Sequence, residues 1–438
     1  LTDVTMDATN FADSILIQPN SDGSAPTTGT LSSASDNIGI GNAVFTALTS
    51  GTLNVSFGKN AGKALTTGDR NVFIGNLAGE AATTCSDAVL IGDGCGKAMT
   101  DENSNVVIGD GSGAGSWNGA HSCVLVGQSV GAAITSGNYN TAMGNGALTA
   151  CTTGTWNVAV GQGAGDGLVA GGHNICIGRA ANRQGGGSDN NVAIGNYSMG
   201  ARTDDDAENN TAVGHSSLGS VTTGDYNTAI GQGAGAATTS GTRNTYVGYV
   251  AGDRNTDGDR NVCIGNMVDT SETTAIDYSI SIGDTILGVS NDFIFGKSGN
   301  VVTNDFDADA NWSRSSDVRK KRNIHSQELG LDFINDLRTV RFQWKPSNEF
   351  PKEWRDYSKE NNMDTNVIMH GFIAQEVKEA LDKHASDDDK KFSGWKENED
   401  GMQNTSREMF VIPLIKAMQE LSTQVTTLQD EIKTLKGE

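Results

Sequence analysis

Apolar positions in residues 37–283 follow a short alternating pattern that recurs about every 17 residues. Each copy contains a glycine at the same place in the pattern, which we call the marker glycine and number as position 0. Position −1 is always apolar, and position −3 is Val, Ile or Thr. Fifteen glycines mark the copies: Gly41, Gly58, Gly75, Gly92, Gly109, Gly127, Gly144, Gly161, Gly178, Gly195, Gly214, Gly231, Gly248, Gly265 and Gly283. Alternation with a period of two predicts a short strand in each copy, with the β-branched residues at −1 and −3 forming its buried face.

The remaining positions of the repeat predict how each copy turns. Most copies carry asparagine at position −4, as at Asn71 and Asn157, where the side chain can hydrogen-bond a turn or stack in a ladder. Position +3 is usually small and position +4 is often glycine, as at Ala78 and Gly79. Small residues and glycine allow the tight corner that a coiled chain needs.

A unit of 17 residues cannot bury its own apolar face, so the copies must stack. The pattern allows two arrangements, a β-solenoid within one chain or a β-helix wound from several chains. At about 4.8 Å for each stacked strand, 15 coils give a rod of roughly 70 Å. We call this predicted region the shaft.

The pattern changes after the shaft. Residues 329–337 and 372–384 have the spacing of amphipathic helices, and residues 340–344 alternate as a strand before Pro346. The chain then ends with apolar residues spaced alternately by four and three, which predicts a coiled coil over residues 411–436. The seam residues are Leu414, Met418, Leu421, Val425, Leu428, Ile432 and Leu435. Val and Ile at a with Leu at d favour two strands, so the seam predicts association without proving three chains.

These patterns predict a mainly β protein with a 17-residue-repeat shaft, followed by a small α+β domain that ends in a coiled coil. The predicted parts are an N-terminal segment (1–35), the shaft (36–283), the shaft end and linker (284–315) and the C-terminal domain (316–438). Composition supports this division. The chain has 56 Gly and only 6% aromatic residues, too few large side chains for an ordinary globular core of this size.

Charge narrows the classes of partner. The net charge is −22, and residues 1–315 hold 30 acidic against 12 basic residues. Such acidity argues against binding nucleic acid or an anionic membrane surface. No stretch reaches 18 apolar residues, so we expect no membrane insertion. The six cysteines all fall in the shaft without CxxC spacing, so we interpret them as core residues and expect no metal and no cofactor.

Two polar clusters in the shaft allow other chemistry. The segment DRNTDGDRN (253–261) has the oxygen spacing of a calcium loop but lacks the final glutamate, and a polar turn of the repeat is the alternative. Asp204, Asp205, Asp206 and Glu208 lie where a repeat is longer, which predicts a bulging loop. Paired carboxylates can hydrolyse a glycan, although the sequence does not place two of them across a cleft.

Three C-terminal segments, SDVRKK, HGFIAQEV and VIPLIKAMQEL, stand in this order with LDFINDLRTVRFQW between the first two. Together they closely resemble the C-terminal intramolecular chaperone of phage endosialidases and tail fibres, over essentially all of residues 316–438. The resemblance implies a domain that trimerises a fibre, guides its β-shaft to fold and then cuts itself off.

The resemblance also implies the residues that act. Ser316 resembles the nucleophile, Lys321 the general base, and the bond between Ser315 and Ser316 is the implied cleavage site. A hydroxyl becomes a good nucleophile when a neighbouring base takes its proton. The supporting motif positions are Asp317, Arg319, His370 and Glu376. Ser315 and Lys320 adjoin the pair, so a dyad shifted by one residue, or a basic linker without chemistry, stays open.

The expected function is therefore that of a homotrimeric virion fibre, made in the host cytoplasm, that cleaves itself. Its expected partners are itself, a host cell-surface receptor of glycan type, and a phage tail or baseplate protein reached through a part preceding Leu1. Two alternatives belong to other classes. A tailspike would depolymerise surface glycan, and a trimeric bacterial adhesin would end in a membrane β-barrel rather than a coiled coil.

Overall fold

The computed structural model describes residues 4–19, 25–183, 186–201, 207–272, 276–305, 309–313, 318–354, 357–361, 363, 365–386 and 392–437. The chain divides into two compact units, residues 1–315 and 316–438. Among the described residues, none of the helices has the length and apolar character needed to cross a membrane.

The first unit is built from strands. They are β1 (Val4–Ala8), β2 (Phe11–Ile17), β3 (Ala34–Ser35), β4 (Ile38–Ile40), β5 (Val55–Phe57), β6 (Val72–Ile74), β7 (Val89–Ile91), β8 (Val106–Ile108), β9 (Val124–Val126), β10 (Thr141–Met143), β11 (Val158–Val160), β12 (Ile175–Ile177), β13 (Val192–Ile194), β14 (Thr211–Val213), β15 (Thr228–Ile230), β16 (Thr245–Val247), β17 (Val262–Asn266), β18 (Asp269–Thr270), β19 (Ile280–Asp284), β20 (Leu287–Gly288), β21 (Asp292–Lys297), β22 (Asn300–Asp305) and β23 (Asp309–Ser313).

Successive repeats stack as the coils of a parallel β-solenoid. The strand of each repeat pairs in parallel with the strand of the next, so Val158 of β11 lies opposite Ile175 of β12. Most partners are 17 residues apart, and the longer repeats keep the same register, as where Val192 pairs with Thr211. The coils thus form within one chain, and the mainly β fold with about 15 turns is confirmed.

The predicted buried face of the strands is wrong. Position −2, the middle residue of each strand, is the one that points into the solenoid, as Phe73, Leu90 and Ala159 do. The residues at −1 and −3 point outward, and Val158 and Val160 are each 36% exposed. The alternation correctly indicated that positions −1 and −3 share one face of the strand. That face, which is the more apolar of the two, is the outer face of the solenoid.

An asparagine ladder joins the coils inside the solenoid, as the repeat predicted. The backbone N–H of Asn174 donates to Oδ1 of Asn157 at 3.0 Å. The amide nitrogen of Asn157 donates to the carbonyl oxygen of Gly171 at 2.8 Å. Both asparagines are fully buried. The Asn157 side chain therefore satisfies two backbone groups that lie 14 and 17 residues further along the chain. Without it these buried groups would lack partners.

The core of the solenoid is narrow and filled mostly by small residues. All six cysteines lie in the described part of the chain as free, buried thiols. Burial raises the pKa of Cys85 and Cys176 to about 12. Because the thiolate is the reactive form, these cysteines are inert packing residues, as interpreted from the sequence.

Both ends of the stack carry extra strands. At one end β2 pairs with β4 through Ile15–Ile17, and β1 pairs with β2 in the antiparallel sense. At the other end β21 follows β19, and β22 and β23 continue as an antiparallel meander. Residues assigned to the N-terminal segment and the linker thus belong to the same sheet. Antiparallel strands at each end cover the last parallel coils, which would otherwise expose an open edge.

Within its described residues, the second unit has three α-helices and two small sheets. Its elements are α1 (Leu331–Asp336), β24 (Val340–Phe342), β25 (Met369–Gly371), α2 (Ala374–His384), β26 (Trp395–Glu397), β27 (Gln403–Thr405) and α3 (Val411–Lys436). β24 pairs with β25 and β26 pairs with β27, both antiparallel. The buried core is formed by Leu329, Phe333, Val377, Ala380, Leu381 and Phe410.

Candidate functional site

The predicted cleavage segment begins the second unit. Three of its residues lie outside the described part of the chain: Ser315, Ser316 and Asp317. Arg319 lies in a single 3-10 turn formed by Val318–Lys320, and Lys321 follows it. The Lys321 N–H donates to the Val318 carbonyl at 3.0 Å, and both basic side chains are exposed. The assignment of Ser316 and Lys321 as a dyad stays a prediction.

His370 lies on the small sheet of the second unit. It stands in β25 opposite Arg341 of β24. The two residues line an open groove of about 390 Å³, together with Thr339, Val340 and Phe372. His370 is exposed, and its role as a supporting motif position stays a prediction.

Glu376 has a definite partner that the sequence did not reveal. Its carboxylate receives two hydrogen bonds from the Arg338 guanidinium, one of them at 2.9 Å from Nε. Hydrogen bonding to Arg338 holds the pKa of Glu376 below its usual range. Arg338 lies 38 positions earlier, beyond α1, and no spacing rule links residues so far apart. Glu376 thus ties α2 to the segment after α1.

A second ionic contact joins α1 to α2. Asp336 accepts hydrogen bonds from Lys383 Nζ at 2.6 Å and from His384 Nε2 at 2.5 Å. These bonds, Lys383 first, hold the pKa of the Asp336 carboxyl below its usual range. His384 is the last residue of α2, and its partner is the aspartate at the end of α1. Two ionic contacts therefore fix these helices beside one another.

Phe410 organises the aromatic core directly before α3. Its ring centroid lies 6.3 Å from that of Phe333, 5.0 Å from Phe372 and 5.3 Å from Phe392. Only 6% of Phe410 is exposed. The start of α3 is therefore anchored in the core of its own unit.

One face of α3 completes that anchor. Pro413 and Ala417 are buried, and Glu420 accepts a hydrogen bond from the Leu331 N–H at 2.7 Å. Leu331 is the first residue of α1, whose first N–H groups have no partner within the helix, so Glu420 satisfies one of them. This bond and Lys416 keep the pKa of Glu420 below its ordinary value.

The neighbouring face of α3 is the predicted seam, and it is exposed along its length. The exposed fractions are Leu414 49%, Met418 60%, Leu421 42%, Val425 45%, Leu428 56%, Ile432 49% and Leu435 87%. Val411, Ile412 and Ile415 extend the exposed apolar surface at the start of the helix. A helix stripe this apolar is buried in a stable protein, and its own unit does not bury it.

The polar segment 253–261 of the shaft forms part of the repeat itself. Asn255, in the segment considered as a calcium loop, is buried and donates to the Tyr246 hydroxyl at 2.7 Å. It also accepts the Gly258 N–H at 2.9 Å, which makes the segment a polar turn. No group of three His, Cys, Asp or Glu residues within the described ranges could hold a metal ion. Asp204, Asp205 and Asp206 lie outside those ranges.

A β-solenoid of about 15 turns, followed by a separate α+β unit with one long terminal helix, defines the class as a fibrous protein with a C-terminal accessory domain. Residues 316–386 match the family model described as the chaperone of endosialidase. The C-terminal unit therefore contains an endosialidase-type chaperone domain, and this prediction is confirmed. No curated protein and no solved structure matches the chain significantly.

Proposed function

We propose that the chain is a homotrimeric phage tail fibre or tailspike protein whose C-terminal domain assembles the shaft and then releases itself. The observation that carries the proposal is the exposed seam of α3. One face of the helix is anchored through Pro413 and Ala417, and the adjacent face leaves seven apolar residues exposed. Such a division leaves the seam free to pair with the same seam of another copy.

The energetics favour that pairing. Burying a Leu, Ile, Val or Met side chain stabilises an assembly by about 1.5–3 kcal/mol, so seven residues from each chain supply a large driving force. The residues at a and d favour two strands by themselves. The choice of three rests on the match of residues 316–386 to the chaperone of endosialidase, together with the resemblance of SDVRKK and HGFIAQEV to trimerising fibre domains.

A chaperone suits this shaft because its repeats are alike. Fifteen coils with nearly the same sequence pair almost equally well in several registers, and a slipped register is a trap for folding. Non-local pairing of this kind is also slow. A coiled coil that holds the chains at their ends raises their local concentration and gives them one starting register.

Self-release would follow assembly. The Ser316 hydroxyl attacks the carbonyl carbon of Ser315, and Lys321 in its neutral form takes the hydroxyl proton. The bond between Ser315 and Ser316 breaks as the Ser316 nitrogen leaves and takes up that proton. The resulting ester joins the Ser315 carbonyl to Ser316 Oγ, and water hydrolyses it. Cleavage removes the nucleus that could guide unfolding, so the assembled shaft becomes kinetically stable.

The assembled shaft would then serve attachment. We assign it to the virion as a rod that carries receptor-binding surfaces for a host glycan and joins the phage tail or baseplate. The chaperone of endosialidase family, which occurs in phage tail proteins, supports this location.

The test of assembly is the mass in solution of the Ser316→Ala chain, in which α3 is retained. Leu421→Lys with Leu428→Lys places charges on the seam, and Thr426→Lys places a charge on an exposed position beside it. We expect light scattering to report a trimer for Ser316→Ala and for the Thr426→Lys control, and loss of the trimer for the seam variant. A trimer that survives both seam lysines would contradict the proposal.

A further inference from the structure

The solenoid has one outward face that is apolar along its whole length. We call it the outer strip: positions −3 and −1 of the fifteen strands β4–β17 and β19. Its members are Ile38, Ile40, Val55, Phe57, Val72, Ile74, Val89, Ile91, Val106, Ile108, Val124, Val126, Thr141, Met143, Val158, Val160, Ile175, Ile177, Val192, Ile194, Thr211, Val213, Thr228, Ile230, Thr245, Val247, Val262, Ile264, Ile280 and Ile282.

Charge is excluded from the outer strip. Of its thirty residues, 26 are Ile, Val, Phe or Met, four are Thr, and none is charged. The neighbouring position +1 carries charged residues in several coils, including Lys59, Asp93 and Arg179. Every strip residue is at least partly exposed. Among the more exposed ones, the exposed fraction runs from 36% at Val160 to 50% at Met143. The shaft holds 21 acidic residues, so a strip without any charged residue is not an average sample of its surface.

The size of the outer strip points to a protein interface. Fifteen strands at about 4.8 Å give a length of about 70 Å, and two outward side chains span a width of about 10 Å. The strip therefore covers about 700 Å², close to the roughly 800 Å² that each partner contributes to a standard interface. Parallel sheets are ordinarily covered on both faces, and isolated proteins rarely expose apolar patches beyond a few hundred Å².

We infer that the outer strip is the surface through which the shafts of the assembled copies pack side by side. A second copy of this chain fits the strip in length, because the partner surface must be as long as the rod. It also fits in spacing, because only a surface that repeats at the strand distance can interlock with every coil. It fits in charge, because copies that both carry a net negative shaft can pack closely only through a neutral strip.

This inference deepens the proposed homotrimer and rests on it. The coiled coil would bring the chains together, and the outer strip would hold the shafts together after the C-terminal domain is released. The β-branched residues suit this role, because their stiff side chains lose little freedom when an interface forms. Association through the strip would leave the polar turns of each coil on the outside for contact with a receptor.

Cross-linking with a short bis-maleimide tests the inference on the full Ser316→Ala chain. Val160→Cys and Ile230→Cys place thiols on the strip in coils far apart along the shaft. Thr153→Cys is the matched control, because Thr153 is exposed in the turn that precedes β11 and lies off the strip. Leu428→Cys reports pairing of the seam. The native cysteines are fully buried and do not compete for the reagent.

We expect both strip variants to lose most of their monomer band in favour of covalent multimers, with Thr153→Cys unchanged. If Leu428→Cys cross-links and both strip variants stay monomeric, the outer strip is not the interface, while the proposed assembly stands. Cross-linking at the strip but not at Leu428 would keep the inference and remove the role of the seam. If no variant cross-links, or if Thr153→Cys cross-links as much as the strip variants, the inference is overturned. The absence of cross-linking at every position would also contradict pairing through the seam.

Discussion

At the scale of single residues, the shaft is held together by polar contacts that repeat from coil to coil. Asn157 connects the coil before it to the coil after it, because its N–H donates to Asn140 Oδ1 and its own Oδ1 accepts from Asn174. Such a ladder is possible only where successive coils keep one register. The ladder therefore stabilises the register as well as the turn.

Asn157→Ala should destabilise the shaft by about 2–3 kcal/mol, because a buried backbone group left without its partner costs about 1–3 kcal/mol. The Asn174 N–H would lose its acceptor and the Gly171 carbonyl its donor. Urea unfolding followed by circular dichroism measures the change, with Thr153→Ala as an exposed control expected within about 0.5 kcal/mol. Equal midpoints for the two variants would contradict the role of the ladder.

Asp269 makes the shaft sensitive to pH. It is 6% exposed, and burial raises the pKa of its carboxyl from 3.8 to about 6. Between these values the folded shaft holds a proton that the unfolded chain has lost. The stability that this proton contributes is complete below about pH 4 and is lost as the pH rises through 6.

Between pH 4 and pH 7 the Asp269 carboxyl should lower the free energy of unfolding of the wild type by an amount on the order of 2 kcal/mol. Asp269→Asn should lack this decrease. Thermal unfolding of the wild type and the variant across this range measures the difference between them. Asp93→Asn, on the exposed surface of the shaft, is the control and should follow the wild type. A wild-type profile that does not decline relative to Asp269→Asn as the pH rises would contradict the assignment.

Sequence reasoning at this scale identified the asparagines and the marker glycines but reversed the strand faces. The most apolar alternating residues were taken as buried, whereas the inward position −2 is often Ala or Cys because the core is narrow. The left-handed residue directly before each asparagine was not predicted. Trp156 has a φ of 60°, a left-handed conformation that carries no glycine signal here because every coil uses a larger residue.

At the scale of elements, the C-terminal unit depends on how α3 begins. Phe410 lies among three other phenylalanine rings and is followed at once by the helix. Two faces of α3 then differ in their contacts. Pro413 and Ala417 pack against the C-terminal unit, whereas the seam residues remain exposed. Loss of the anchor would leave a helix that associates without organising the domain.

Phe410→Ala should destabilise the C-terminal unit by about 3–5 kcal/mol, the usual cost of removing a buried phenylalanine side chain. Aromatic circular dichroism during thermal unfolding of the Ser316→Ala chain measures it. Trp344→Ala removes a large side chain that is 43% exposed, so it should cost much less. Similar losses for the two variants would mean that Phe410 does not organise this core.

Helices and strands of this unit were predicted from periodicity, and α1, β24, α2 and α3 form within the predicted segments. Their contacts were not predictable. Glu376 finds Arg338, and Glu420 finds the Leu331 N–H 89 positions earlier in the chain. Pairings of this kind depend on the packing of helices, which a pattern along one chain does not encode.

At the scale of the whole molecule, a repetitive shaft and a chaperone domain solve one physical problem together. Near-identical coils stabilise a long rod. Because the coils are so similar, a slipped register costs little free energy. We propose that the C-terminal domain sets the register and is then released, so that it removes this folding trap without remaining in the product. The outer strip would supply the contact that keeps the shafts together after that departure.

Denaturing mass spectrometry of freshly expressed protein tests the central claim most directly. The wild-type chain should appear as two fragments divided between Ser315 and Ser316, because we propose that the Ser316 hydroxyl, activated by Lys321, attacks the bond that precedes it. Ser316→Ala and Lys321→Ala should each remain whole, while Lys320→Ala should still be cut. A wild-type chain that stays intact, or a Ser316→Ala chain that is cut at the same bond, would contradict self-release.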